Sequence, residues 1–301
     1  MSTRGIIMKV LNFGSLNYDY VYSLDHILVP GETIASSKME VFCGGKGLNQ
    51  SIALARAGVS VFHAGMVGED GETLLNMCKQ NGVNTELIKV VPGKSGHTII
   101  QVDKDGQNCI LLYGGSNRCL TKEYVDEVLS HFEKGDLIVL QNEINCLDYI
   151  IDKAYEKEMT IVLNPSPFDD ALKSCDLSKV SIFLLNEIEG EQITGGKDPE
   201  EILRTLQDKF PKAKIVLTLG SNGSVYQDRD CQYRQGIFKV KAVDTTAAGD
   251  TFTGYFIASI LQEKPVPEAL KLAAKASAIA VSREGAVPSI PTLDEVMTCS
   301  I

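Results

Sequence analysis

The chain has 301 residues, 44% of them hydrophobic and 23% charged, with a formal net charge of −10. That balance excludes intrinsic disorder and leaves room for one large α/β domain or two small ones. The acidic charge argues against a nucleic-acid surface, which needs a basic patch, but not against anionic ligands, because helix N-termini bind phosphate whatever the net charge.

Short, nearly continuous apolar runs alternate with helical patterns, the signature of βαβ units and a largely parallel sheet. Residues 10–14 form the first predicted strand. Asn17-Tyr18-Asp19 follows, and an extended chain there places Asn17 and Asp19 on one side. Residues 21–42 alternate in character and read as an antiparallel ribbon standing off the main sheet. Next comes Gly44-Gly45-Lys46-Gly47-Leu48-Asn49-Gln50-Ser51, which opens a helix with Leu48, Ile52 and Ala55 on one face and Gly58 as C-cap. Lys46 and Asn49 share the opposite face. A lysine and an amide beside exposed backbone suit recognition of sugar hydroxyls, and a plain solvated face fits them equally well. Residues 98–113 form a second ribbon with a turn at Asp105-Gly106. So few strands cannot bury a core alone, and the two ribbons are expected to form a lid over a site or a dimer contact.

Helices are predicted at 122–132 and 147–158, and strands at 137–140, 160–163, 182–185 and 215–219. Polar or small residues follow each of these strands: Gln141-Asn142-Glu143, Asn164, Asn186 and Gly220. Any one alone is an ordinary turn, but four in register point to a shared site at the carboxyl edge of the sheet. Asn186 and Glu189 lie one helical turn apart, suited either to capping or to orienting Mg²⁺-bound water. Thr218, Gly220, Ser221 and Gly223 belong to a small-residue loop suited to a nucleotide phosphate, or to a simple turn.

The sharpest segment is Val243-Asp244-Thr245-Thr246-Ala247-Ala248-Gly249-Asp250-Thr251-Phe252. Small residues run into an amphipathic helix, 250–262, with Phe252, Phe256, Ile257, Ile260 and Leu261 on one stripe. Without bulky side chains, the free N–H groups of its first turn reach a phosphate closely, and the helix dipole adds positive potential. Asp250 at that terminus is placed to take a proton from an attacking hydroxyl. An Ala-rich helix, 267–282, follows.

The eight cysteines, Cys43, Cys78, Cys109, Cys119, Cys146, Cys175, Cys231 and Cys299, form no C-x-x-C pair. They read as reduced thiols of a cytoplasmic protein. The four histidines have no metal-ligand spacing. No run reaches the roughly 18 apolar residues of a membrane span, and residues 1–9 lack a signal-peptide core; Met8 is a plausible alternative start.

Taken together, the glycine-lysine-asparagine segment near the start and the Asp244 to Phe252 segment near the end resemble the ribokinase family of carbohydrate kinases, from about Val10 to Pro291. Gln50 is similar to the ribokinases of that family more than to its sugar-phosphate kinases. The resemblance implies a single three-layer, doubly wound α/β domain over 1–301 with a β-strand lid. It implies transfer of the ATP γ-phosphoryl group to the 5-hydroxyl of D-ribose; deoxyribose, a nucleoside, another sugar or a catalytically silent sugar sensor are the alternatives. Asn17, Asp19, Gly45, Lys46, Asn49 and Glu143 would hold the sugar. Asp250 would be the base, with Ala248 and Gly249 as anion hole. Asn186, Thr218, Gly220, Ser221, Gly223 and Gly249 would contact the nucleotide, and Glu189 would reach Mg²⁺ through water. Asp244, Thr246, Ala280, Arg283, Gly285 and Ser289 would surround an activating K⁺. A homodimer through the lid is also implied, with no nucleic-acid or membrane partner. The departures are Ala247, where many relatives carry glycine, Ala274 near the nucleotide, and Thr98 in a lid stretch that is commonly more apolar.

Overall fold

Alternate residues of the central strands face two separate hydrophobic clusters. Val10, Val139, Val162, Leu184 and Val216 face one; Leu11, Leu140, Ile161, Phe183, Leu185, Ile215 and Leu217 face the other. That two-sided burial is why these strands read as unbroken apolar runs. The computed structural model describes residues 8–301. The reading of 1–9 as free of a signal segment falls mostly outside them, and Met8 lies at their boundary.

The chain opens with β1 (Val10–Phe13), β2 (Asn17–Ser23), β3 (Lys38–Gly44), α1 (Lys46–Arg56), β4 (Val61–Val67), α2 (Glu72–Gln80) and β5 (Asn84–Val90). It continues through β6 (Gly96–Val102), β7 (Asn108–Tyr113), α3 (Lys122–Leu129), β8 (Leu137–Gln141), α4 (Leu147–Glu156), β9 (Thr160–Asn164) and β10 (Ile182–Asn186). The last third holds α5 (Glu187–Thr194), α6 (Pro199–Lys209), β11 (Lys214–Thr218), β12 (Ser224–Gln227), β13 (Gln232–Gln235), α7 (Ala248–Leu261), α8 (Val266–Val281) and α9 (Leu293–Thr298).

Nine strands form the main sheet in the order β13-β12-β11-β10-β9-β8-β1-β4-β5. Pairing is parallel from β11 to β5, and β12 and β13 add an antiparallel edge. Leu48 and Ile52 of α1, Phe256 of α7 and Leu270 of α8 pack on one face. Val125 of α3, Ile150 of α4 and Ile202 of α6 pack on the other. The largely parallel sheet is the one the strand pattern predicts, and the three-layer, doubly wound architecture is the one the resemblance implied. The carboxyl ends of β8, β9, β10 and β11 are Gln141, Asn164, Asn186 and Thr218, so the polar residues that follow the apolar runs line one edge.

The smaller sheet differs in detail from the two expected ribbons. Its four strands run β3-β2-β6-β7, and parallel pairing of β2 with β6 fuses both ribbons into one sheet. It begins at Asn17 instead of 21, so Asn17 and Asp19 belong to this sheet.

Helix α7 also departs from expectation. Every residue from Asp250 to Ser259 is buried, because α1 and α8 pack on either side of it. The expected single stripe is therefore a helix buried all round. At the α1 crossing Gly254 is required: a Cβ there would lie 2.4 Å from Ala53 Cβ. Just ahead of α7, Ala247 has φ 58°, a left-handed conformation that costs a non-glycine residue about 1–2 kcal/mol. Part of any gain from glycine is offset by its looser unfolded chain. Ala247→Gly is expected to raise stability by about 0.5–1 kcal/mol, read as a higher urea midpoint at unchanged slope; a lower midpoint would contradict it.

Candidate active site

Asp250 is the third residue of α7, and its carboxylate is held from across the molecule. Asn49 Nδ2 donates to Oδ2 at 3.0 Å and Gln50 Nε2 donates to Oδ1 at 2.9 Å. Gln50 is oriented in turn, since its Oε1 accepts from Gln141 Nε2 at 2.7 Å. Gln141 also donates to Asn12 Oδ1, and Asn12 donates to Gly47 O and Ser51 Oγ. The chain of amides ends at His63, 2.7 Å from Ser51 Oγ. Burial pulls the His63 pKa down to about 4, so this relay is neutral at physiological pH. Gln50, Gln141 and Asn12 are fixed in series, so Oδ1 of Asp250 is aimed before anything binds, while Asn49, outside this relay, holds Oδ2.

The first turn of α7 offers donors. Ala248 N–H closes on Thr245 O at 3.2 Å, and Thr251 N–H returns to Ala247 O. The amides between them, on Gly249 and Asp250, are left without an acceptor inside the helix. With the helix dipole, they form a positive cradle beside the Asp250 carboxylate. Ala248 thus shapes the turn, while Gly249 presents the free N–H.

Asp250, Glu143 and Glu189 lie around Lys46, and Asp19 lies near the first two. Glu143 Oε2 accepts from the Lys46 amide at 3.0 Å and also from the Ser15 hydroxyl. Burial pushes the Glu143 carboxyl upward, against the pull of Lys46. Asp19 accepts from Thr98 Oγ1 at 2.6 Å. Burial raises its pKa from 3.8 to about 6, with Glu143 and Asp250 adding repulsion. Burial works against the Lys46 ammonium too, but Asp250, Glu143 and Glu189 together outweigh it and hold its pKa above the ordinary lysine value. Asn17 accepts from Asn117 Nδ2 at 2.7 Å. Gly45, at φ 91°, brings the backbone close: a Cβ there would meet the Asn17 amide nitrogen at 3.2 Å. Asn49 Oδ1 is buried and, among the described residues, has no hydrogen-bond partner. A buried acceptor without a partner points to a ligand hydroxyl.

Two adjoining cavities flank the start of α7. One, of about 240 Å³, is lined by Lys46, Asn164, Asn186, Glu189, Gly249 and Asp250, among others. The larger, of about 640 Å³, is lined by Thr218, Gly220, Ser221, Gly223, Phe252, Ala274 and the irregular stretch from Ile237 to Val240. Thr218, Thr245 and Gly249 border both. The larger volume suits a ligand of nucleotide size.

Asn186 and Glu189 form a reciprocal capping box on α5. Glu189 Oε1 and Oε2 accept from the Asn186 side chain and backbone at 3.1 and 3.0 Å. The capping reading of this pair is therefore realised, in the same cavity as Asp250. A buried carboxylate with further lone pairs facing a polar cavity fits a hard divalent cation.

The Asp244 loop folds onto the end of α8. Asp244 Oδ1 accepts from the Thr246 amide and hydroxyl at 2.8 and 2.6 Å, and Oδ2 accepts from Gly285 N at 2.9 Å. Burial resists its ionisation, but these donors hold its carboxyl below the usual range. Arg283 N–H bonds Ala280 O. The Arg283 guanidinium is drawn away to Glu295 at 2.7 Å, so it does not compete with a cation for the loop's oxygens. Ser289 Oγ donates to Ala286 O. The structure thus joins Asp244, Thr246 and Gly285 directly, while Arg283 bonds Ala280 at the end of α8 and Ser289 bonds Ala286, with no hydrogen bond from either pair to Asp244 among the described residues. Oxygen donors of this kind fit an alkali cation. Among the described residues no group of three His, Cys, Asp or Glu side chains is placed for a metal ion.

Several residues were given no site role from sequence. Gln50 holds the Asp250 carboxylate, Ser15 and Thr98 hold Glu143 and Asp19, and Gln141 orients Gln50. Gln50 and Gln141 sat inside segments already marked as polar strand and helix ends. Thr98 was visible only as a polar residue in an apolar ribbon, and the stretch from Ile237 to Val240 carried no signal.

The description "pfkB family carbohydrate kinase" matches residues 8–293. A ribokinase of Haemophilus influenzae is 35% identical over 296 residues, covering 94% of this chain and 95% of the relative. A crystal structure of ribokinase from Thermotoga maritima superposes with a TM-score of 0.87 at 30% identity, covering 96% and 98% of the two chains. An Arabidopsis thaliana ribokinase complexed with ribose and ATP gives 0.85 at 26% identity over 97% and 98%. With a carboxylate aimed at a helix N-terminus between two cavities, and likeness over nearly the full length, the chain belongs to the pfkB family of carbohydrate kinases, which are phosphotransferases.

Proposed function

We propose that this protein is an ATP-dependent ribokinase, one domain with its own lid, that phosphorylates the 5-hydroxyl of D-ribose. The observation that carries the reading is Asp250, held by Asn49 and Gln50 at the border of the small polar cavity, beside the free amides of α7. Ribose lies among Asn17, Asp19, Gly45, Lys46, Asn49 and Glu143, under the lid. ATP occupies the larger cavity against Thr218, Gly220, Ser221 and Gly223, its phosphates pointing along Asn186 and Gly249 to the sugar. Asp250 takes the hydroxyl proton as the oxygen attacks, and the Gly249 and Asp250 amides, with Lys46, stabilise the charge spread over the transferring group. Glu189 would hold Mg²⁺, which would supply charge neutralisation there. The oxygens of residues 244–246 and 280–289 would hold K⁺, which would support the shape of the turn that precedes α7.

Exposed apolar residues lie on both faces of the lid. Met39, Val41, Ile99, Leu111 and Tyr113 are exposed on one, Ile110 and Leu112 on the other. Only one face can lie over the site, which supports a homodimer through the lid. All eight cysteines are free thiols, in keeping with a reducing cytoplasm.

The direct test is ADP release from Mg²⁺-ATP against ribose, fructose and nucleosides, each with and without K⁺. Turnover is expected to be strongest with ribose and raised by K⁺; turnover confined to nucleosides would overturn the sugar assignment. A pH series adds a second test. Asp19 must be ionised to accept sugar hydroxyls, so ribose affinity is expected to rise as pH increases through about 6. Fold stability has the opposite sign: the folded state binds the Asp19 proton more readily, so this contribution is lost as pH rises from about 4 to about 6. Calorimetric ribose titrations that stay flat across that window would remove Asp19 from the sugar contacts.

A further inference from the structure

Asp19 is braced from within the lid. In β2 it lies opposite Thr98 of β6 and Phe42 of β3, so the three side chains share one face. Thr98 is buried, and its hydroxyl donates to Asp19 Oδ1 at 2.6 Å. Asp19 Oδ2 lies over Gly44, where a Cβ would come within 2.0 Å of it. Among the described residues no hydrogen bond reaches Oδ2.

A buried carboxylate that depends wholly on substrate hydroxyls rejects an analogue lacking one of them, because an oxygen is then left unpaired. At Asp19 one oxygen already has a donor that belongs to the protein. The substrate need satisfy only the other.

We infer that Thr98 is a specificity-determining positioning residue: its hydroxyl lets the enzyme accept a pentose lacking one ring hydroxyl, such as 2-deoxyribose, alongside ribose. This rests on the reading of Asp19 as a sugar contact. Thr98 touches no reacting atom; it acts through Asp19, by fixing the carboxylate and by meeting part of its demand for donors.

The test is kcat/KM for ribose and for 2-deoxyribose, with saturating Mg²⁺-ATP, in the parent protein, Thr98→Val and Thr98→Ser. Valine keeps the shape and loses the hydroxyl; serine keeps the hydroxyl and loses the methyl. The parent is expected to prefer ribose by far less than the roughly 10⁴-fold that a wholly substrate-satisfied polar site imposes. In Thr98→Val the preference rises about tenfold, chiefly through a higher KM for the deoxy sugar, and Thr98→Ser restores the parent ratio. The pH profile moves with it: without the donor, the inflection attributed to Asp19 shifts above about 6, and serine returns it. Equal losses on both sugars, or an unchanged ratio with an unshifted inflection, would overturn the inference and leave the sugar-kinase reading intact. No pentose-dependent turnover in the parent would overturn both. If Thr98→Val does not fold, Thr98→Ala takes its place under the same criteria.

Discussion

Asp250→Asn is expected to lower kcat at least about 100-fold, the lower end for loss of a general acid–base group. The variant loses the proton acceptor, and the site makes matters worse for an amide. Both carboxylate oxygens accept from amide donors, Asn49 Nδ2 and Gln50 Nε2. With its NH₂ toward Gln50 the new carboxamide meets another NH₂ that Gln141 holds in place; toward Asn49 it is met only after that amide turns its unpartnered Oδ1 inward. A buried donor without an acceptor costs about 1–3 kcal/mol, so the variant should also unfold at lower denaturant concentration. ATP affinity should hold, because Asp250 does not line the larger cavity. Steady-state ADP release, nucleotide titration and a urea melt read the three effects separately. Turnover near that of the parent would take Asp250 out of the mechanism.

Gly254→Ala, one turn further along α7, should damage the site without touching it. The added Cβ would lie 2.4 Å from Ala53 Cβ and 2.8 Å from the Ala53 carbonyl carbon. Backbone cannot yield as a flexible side chain does, so α1 and α7 must part. Overpacking of this kind costs about 1–3 kcal/mol. The same two helices carry Asn49, Gln50 and Asp250, so their separation pulls the amides off the carboxylate. A displacement near 1 Å at a reacting group costs about 100-fold in rate. Thermal melts and kcat should therefore fall together. Gly236→Ala is the control, since a Cβ there meets nothing within 4 Å. Parent-like kcat in Gly254→Ala would mean that the helix crossing does not set the geometry of Asp250.

What the sequence made legible follows from burial. Strands β1, β8, β9, β10 and β11 are covered on both faces, so they appear as short unbroken apolar runs. Strand β4 was missed because His63 and Gly65 interrupt its run, yet both are accommodated by partners distant in sequence: Ser51 for the imidazole and Tyr124 for the glycine backbone. Edge strands β5 and β13 lack a second covered face and lost their signal; β12 is covered on both faces but is only four residues long. Within the site, residues bound to local backbone geometry were readable: the Gly249-Asp250 turn, the Gly45-Lys46 helix start and the Asn186–Glu189 cap. Residues whose role is set across the fold were not. Nothing in the stretch around Thr98 announces Asp19, which lies 79 positions earlier. Gln141 gives no hint that it orients Gln50.

The hydrogen bond from Asn49 to Asp250 spans 201 positions in the chain. During synthesis the N-terminal half therefore leaves the ribosome with its lysine, asparagine and glutamine exposed and no carboxylate to receive them. Contacts of such separation carry a loop-closure cost and form late. In the proposed site ribose binding needs both helices, so it would be among the last properties a refolding chain acquires, and a sugar-affinity signal would report completed folding more strictly than helix content does.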